Sequence, residues 1–161
     1  MGIRAYLDIE TSFEGEITIV GIYREDSGTK QFIGRNISAE AILESIEGAS
    51  VLYTFNGSRF DLPRIRSALG LDLRSHVECR DLLLDCWNLK LMGGLKKVEK
   101  ELGIERKTQG IDGFDAMKLW ARYVDLDDNE ALDVLLLYNR EDIENLAVLR
   151  ERLSSLTLKE L

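Results

Sequence analysis

The sequence predicts an α/β sandwich built around a mixed β-sheet, and three observations carry that prediction. Residues 3–33 read as three strands in succession, the middle of the chain alternates further strands with helical segments, and the last ~25 residues have dense helical periodicity. In order, 3–10 alternates apolar and polar positions as a strand does. Residues 16–24 form a second strand and 29–33 a third, with Asp26-Ser27-Gly28 supplying the turn between them, so the chain opens as a β-meander. Ser38 caps a helix running to about 46, and 50–55 is a short Val/Leu/Tyr/Phe strand that Asn56-Gly57-Ser58 breaks ahead of a helix over 62–69. A strand near 76–79 precedes helical segments at about 81–90, 95–102 and 114–123, and 129–153 closes the chain as a long helix. No internal repeat or linker interrupts it, so residues 1–161 are expected to form one domain.

Composition supports a packed domain. The 161 residues are 45% apolar and 31% charged, a length that buries ~70% of the surface its unfolded chain exposes. One Pro and 13 Gly exclude collagenous or low-complexity material, and no apolar run approaches the ~18 residues of a membrane span. The start, Met-Gly-Ile-Arg-Ala-Tyr-Leu-Asp, lacks the basic and apolar regions of a signal peptide, so a cytoplasmic location is expected. Cys79 and Cys86 form no Cys-x-x-Cys pair or Cys/His cluster, which predicts reduced, half-buried thiols and no zinc site. A net charge of −8 argues against coating nucleic acid by bulk charge, though not against gripping one strand end through a local basic patch.

Carboxylates stand at three places where a core is expected. Asp8 and Glu10 are two apart on a strand and project from one face, with Leu7 and Ile9 on the other; taken alone, the pair reads first as a solvated acidic face. Asp61 stands after Phe55-Asn56-Gly57, just ahead of a helix carrying Pro63 in its first turn. Its simplest role is an N-cap, and that place is also the end of a strand, where α/β sheets put their ligands. Asp142 lies on the stripe Leu135, Tyr138, Leu146 and Leu149, one helical turn from a tyrosine. A carboxylate there costs several kcal/mol unless it is paired or bound to metal; the alternative is a tilt toward water, Arg140 or Arg64.

Together, Leu-Asp-Ile-Glu-Thr, Phe-Asn-Gly-x-x-Phe-Asp-Leu-Pro and Tyr-Asn-Arg-Glu-Asp-Ile-Glu-Asn-Leu, in that order along nearly the whole chain, resemble the DnaQ-like 3′–5′ exonucleases of the ribonuclease H-like superfamily. These are the DEDD enzymes, named for four acidic residues, and the small YprB-type predicted exonucleases look most similar. The second and third motifs are more specific than the first. Tyr138 lies four before Asp142, and the single histidine, His76, lies far upstream, so the chain resembles the tyrosine form. YprB-type relatives often carry His-Asn where this chain has Tyr138-Asn139.

The resemblance implies a ribonuclease H-like three-layer sandwich, with a central mixed sheet flanked by helices, that hydrolyses phosphodiester bonds at single-stranded DNA or RNA 3′ ends. Two divalent ions, Mg2+ or Mn2+, ~3.5–4 Å apart, activate water and stabilise the phosphoryl and leaving oxygens in such chemistry. By resemblance Asp8 bridges both ions, Glu10 and Asp142 complete the one that activates water, Asp61 holds the second, and Tyr138 aims the water. A phenol with a pKa near ~10 positions better than it deprotonates. A structure-selective endonuclease and a catalytically degenerate binding module are the alternatives; retention of all four acids argues against the latter.

Asn56, Arg59, Arg64, Lys96 and Lys97 are the expected nucleic-acid contacts. Lys96 and Lys97 belong to the locally basic segment 90–107, where Gly93-Gly94-Leu95 opens a helix whose Leu95, Val98 and Leu102 face the core. Phe13, Phe55 and Phe60 are candidates for stacking on a terminal base, with core packing the stronger reading for Phe55 and Phe60. Trp87 and Trp120 read as core anchors, His76 as a surface residue near a strand start, and Asp81 and Asp85 as substitutes if Asp61 is only a cap.

Overall fold

The computed structural model describes residues 2–160. Five strands, β1 (Ile3–Thr11), β2 (Ile17–Arg24), β3 (Gly28–Ile33), β4 (Ala49–Thr54) and β5 (Glu78–Asp81), form one sheet in the order β3-β2-β1-β4-β5. The β3-β2-β1 hairpins are antiparallel, whereas β1, β4 and β5 run parallel. Helices α1 (Ala39–Ile46), α2 (Asp61–Leu69), α3 (Leu82–Asn88), α4 (Leu95–Glu101), α5 (Gly113–Leu126) and α6 (Asn129–Glu160) flank it. The α/β sandwich around a mixed sheet is thus what the chain adopts. No helix among the described residues is long and apolar enough to cross a membrane.

The strand period separates two cores. Ala5, Leu7 and Ile9 of β1 join Val20 and Ile22 against Ile42 and Ile46 of α1 and Ile65 of α2. Tyr6, one residue out of step, faces the other way with Val51 and Tyr53 against α3, α4 and Leu146, Leu149 and Leu153 of α6. Burying each such aliphatic side chain contributes roughly 2 kcal/mol. Tyr6 stacks on Tyr53 and Tyr23, centroids 5.3 and 5.8 Å apart; its hydroxyl donates to Glu25 at 2.7 Å and accepts from Arg150 Nε at 2.9 Å. These contacts pin the C-terminal half of α6 to the sheet, so two turns earlier its inner stripe passes over β1 at Asp8 and Glu10.

Some local expectations are corrected. The last strand is Glu78–Asp81 rather than 76–79, because a 3-10 turn at Leu73–Ser75 ends on His76 in a helical conformation and delays pairing with β4. His76 is exposed just before that strand, as expected. The final helix continues beyond 153 to Glu160. Cys79 is half-buried, but Cys86 is fully buried in the α3 core. Trp87 is no core anchor: α3 turns Leu82, Leu83 and Cys86 inward and leaves Trp87 outside under the Arg59 guanidinium, 5.4 Å from the ring centroid. Trp120 packs partly against the Ile19, Leu135 and Tyr138 cluster.

Candidate metal centre

Asp8 and Glu10 share the face of β1 that Tyr6 occupies, and that face looks onto α6, so they are not a solvated acidic edge. Opposite them α6 presents Tyr138, Asn139 and Asp142, all buried. One carboxylate oxygen each from Asp8, Glu10 and Asp142 lies within 4.8 Å of the others. Asp61 approaches from α2: its carboxylate, 3% exposed, accepts from the backbone N–H of Ile9 at 3.2 Å. The predicted N-cap role fails, because Phe60 is the residue preceding the helix and Asp61 already lies in its first turn with its carboxylate on β1. Asp81 is no spare ligand either. It accepts from the N–H groups of Asn56 (2.7 Å), Ser58 (3.2 Å) and Leu83 (3.1 Å), capping α3 and fastening the turn before α2, while Asp85 is exposed.

Second contacts orient the acids. Asn139 Nδ2 donates to Asp8 Oδ2 at 3.2 Å and to the Asp8 carbonyl at 3.3 Å, and its own Oδ1 accepts from Gln31 Nε2 at 2.9 Å. This close crossing requires glycine at position 21, opposite Asp8 on β2, because a Cβ there would lie 2.2 Å from Asn139 Oδ1. Asp142 pairs with Lys96 Nζ at 3.1 Å and with Arg106, which also pairs with Glu99 at 3.2 Å; Asn145 donates to the other Glu99 oxygen. Glu141, the residue before Asp142, fastens the 107–108 loop by accepting from Lys107 N at 2.6 Å and Thr108 N at 2.9 Å. The alternative partners foreseen for Asp142 are engaged elsewhere, Arg140 with Glu144 and Arg64 with the Gly15 carbonyl.

The electrostatics are those of crowded negative charge. Burial, then repulsion from Asp142, Glu10 and Asp61, holds Asp8 well above the usual carboxylate range. Burial and Asp142 push Glu10 up to about 8. Burial raises Asp61 to about 7 despite the lowering bond from Ile9. Glu10 Oε1 is buried with no hydrogen-bond partner among the described residues, in a site where Lys96 and Arg106 both serve Asp142. An all-oxygen donor set with one orphaned oxygen fits a hard divalent ion such as Mg2+ or Mn2+, which would turn mutual repulsion into shared attraction. Burial and Asp142 raise the Tyr138 phenol above its ordinary value, which disfavours a role as base. Burial opposes the Lys96 charge most, yet Asp142, Tyr138 and Asp8 together hold the ammonium above its ordinary value.

The carboxylates open into a cleft of about 260 Å3 whose walls include Phe60, Lys96, Met117 and Tyr138. Of the expected nucleic-acid contacts, Lys96 is inside this cleft and Arg64 stacks at 4.3 Å over Phe60 on its wall. Arg59 covers Trp87, Lys97 reaches Glu101 at 3.7 Å on the surface, and Asn56 adopts a left-handed conformation (φ 60°) in the turn held by Asp81. Phe13, half exposed, meets Phe114 edge to face at 5.6 Å, and Phe55 packs against the core. Sequence reasoning gave Asn139 and Glu99 no role in the site and reached Arg106 only as one cation of the basic segment 90–107. Asn139 was findable, three residues before Asp142 on the same helix face; nothing local marks the other two.

A family model described as the RNase_H superfamily matches residues 5–154. A solved structure of the family B DNA polymerase from the hyperthermophilic archaeon Pyrobaculum calidifontis is similar in fold, with a TM-score of 0.70 at 15% identity over 91% of this chain and 24% of the polymerase chain. The chain therefore spans about a quarter of that polymerase's length. No curated protein sequence matches. By a match that runs from within β1 through most of α6, the chain belongs to the RNase_H superfamily.

Proposed function

We propose that the protein is a metal-dependent 3′–5′ exonuclease of the DEDD tyrosine type, acting on single-stranded DNA or RNA ends with two Mg2+ or Mn2+ ions. The observation that carries this reading is the convergence of Asp8, Glu10 and Asp142 within 4.8 Å, with Glu10 Oε1 left unpartnered. Membership of the RNase_H superfamily and a fold like that of about a quarter of a DNA polymerase chain support a nucleic-acid substrate. Asp8, Glu10 and Asp142 would hold one ion, and Asp61, beside Ile9, would reach the second. Bound ions would supply a nucleophile from water and stabilise the phosphoryl and leaving oxygens.

The chain's own groups do the positioning. Asn139 locks the Asp8 carboxylate, and Arg106, itself held by Glu99, locks Asp142, so both acids are aimed before substrate arrives. Tyr138 is buried one turn before Asp142 with its hydroxyl kept protonated, suited to hold a water by hydrogen bond. Phe60 and its stacked Arg64 offer a wall with one apolar face and one cation for a terminal nucleotide. Single-stranded DNA and RNA of one sequence, as 5′-labelled linear strands and as closed circles, test the reading with Mg2+ or Mn2+. Linear strands shortening stepwise from the 3′ end beside intact circles is the expected result. Cut circles would replace the exonuclease with a structure-selective endonuclease.

A further inference from the structure

A carboxylate metal centre does not by itself call for Lys96. Its ammonium lies 3.1 Å from Asp142 Oδ1 and 3.2 Å from Oδ2, and 4.4 Å from the centroid of the Tyr138 ring. It therefore sits against the same Asp142 oxygens that converge with Asp8 and Glu10. Asp142 is neutralised twice, by Lys96 and Arg106, while Glu10 Oε1 stays buried without a partner. The two cations differ in freedom. The Arg106 side chain is 5% exposed and tied to Glu99, whereas the Lys96 side chain is 38% exposed and lines the cleft. Both cations line a second cavity of about 250 Å3 beside Glu99, but of the two Lys96 alone also lines the cleft that holds Asp8, Glu10 and Asp142, where a phosphate would lie.

A divalent ion on Asp142 would stand within a few ångströms of that ammonium, and like charges so close repel strongly. A nucleic-acid phosphate offers the displaced ammonium a carboxylate-like partner. We propose that Lys96 is a tethered cation that competes with a divalent ion for Asp142 and passes to a substrate phosphate when ion and nucleic acid bind together. The proposal rests on the metal-nuclease reading above and adds a coupling to it: nucleic acid tightens metal binding, and metal tightens nucleic-acid binding by the same factor. The site then loads fully only when substrate is present.

The test is Mn2+ binding followed by the electron paramagnetic resonance signal of free Mn2+, with and without a short single strand carrying hydrolysis-resistant phosphorothioate linkages at its 3′ end. Wild type should bind Mn2+ weakly alone and at least ~10-fold more tightly with the strand. Lys96→Met should bind Mn2+ ~10- to 100-fold more tightly than wild type without the strand, and the strand should then add less than ~3-fold. Lys118→Met, which removes an exposed cation paired with Asp115 at 3.6 Å, should match wild type. Equal tightening by Lys118→Met would reduce the effect to net charge and overturn the proposal. So would a Lys96→Met protein with wild-type Mn2+ affinity and wild-type coupling to the strand. If neither wild type nor Lys96→Met binds Mn2+, the metal reading itself fails and takes the exchange with it; a wild-type site that Lys96→Met leaves unchanged refutes the exchange alone. Should Lys96→Met not fold, Lys96→Gln is read in the same way.

Discussion

Metal-free protein should lose stability as pH rises through neutrality, and the acid cluster sets both the sign and the window. Glu10 is raised from 4.5 to about 8 and Asp61 from 3.8 to about 7. Between the unfolded and folded values the folded state binds more protons than the unfolded chain, so the slope of unfolding free energy with pH is negative. The stabilising contribution is complete below about pH 4 and is lost as pH climbs through about 7 to 8. Each pKa unit corresponds to about 1.4 kcal/mol, and because the groups interact their losses do not add, which leaves a total on the order of 3–5 kcal/mol. For a chain of this size that is roughly a 10 °C fall in Tm. Exposed Asp26 and Asp112 and half-buried Asp128, whose pKa values are lowered, act below that window. Thermal melts in EDTA from pH 5 to 9 measure the slope, with Glu10→Gln as comparison. Glu10→Gln should flatten it and raise Tm above pH 8. A wild-type Tm that stays level or rises from pH 5 to 8 without metal would refute the electrostatic account.

Three substitutions probe the positioning groups. Tyr138→Phe keeps the ring against Leu135 and removes only the hydroxyl, so stability should change by no more than ~1–2 kcal/mol in a chemical melt while turnover falls ~10- to 1000-fold. Asn139→Ala frees the Asp8 carboxylate and should weaken Mn2+ binding ~10- to 100-fold by calorimetry, with the fold retained by circular dichroism. Gly21→Ala drives a methyl onto Asn139 Oδ1 and should cost ~1–3 kcal/mol of stability together with a loss of metal affinity; unchanged affinity would uncouple that crossing from the site.

The sequence is most readable where periodicity is long. β1 and α6 each run long enough for their buried faces to be assigned, and those faces bring Asp8, Glu10, Tyr138 and Asp142 together. Short-range rules mislead where a distant partner wins. Asp61 looks like a helix cap to its neighbours, but its bond goes to Ile9, 52 residues away. Trp87 looks like core by type, yet the turn of α3 spends its inner face on Leu82, Leu83 and Cys86. The basic segment reads as amphipathic, which accounts for Val98 facing the core. It cannot reveal that Lys96 and Arg106 reach Asp142, 46 and 36 residues on, or that Glu99 is buried to hold Arg106.

The most direct test of the central claim is the rate at which Asp8→Ala degrades a 5′-labelled single strand at saturating Mn2+, compared with wild type under the same conditions. Asp8 stands between Glu10, Asp142 and Asn139, so its loss should lower the rate by several orders of magnitude while the protein stays folded, and EDTA should silence wild type to the same level. Near wild-type degradation by folded Asp8→Ala, or wild-type activity that survives EDTA, would contradict a carboxylate metal centre as the seat of catalysis.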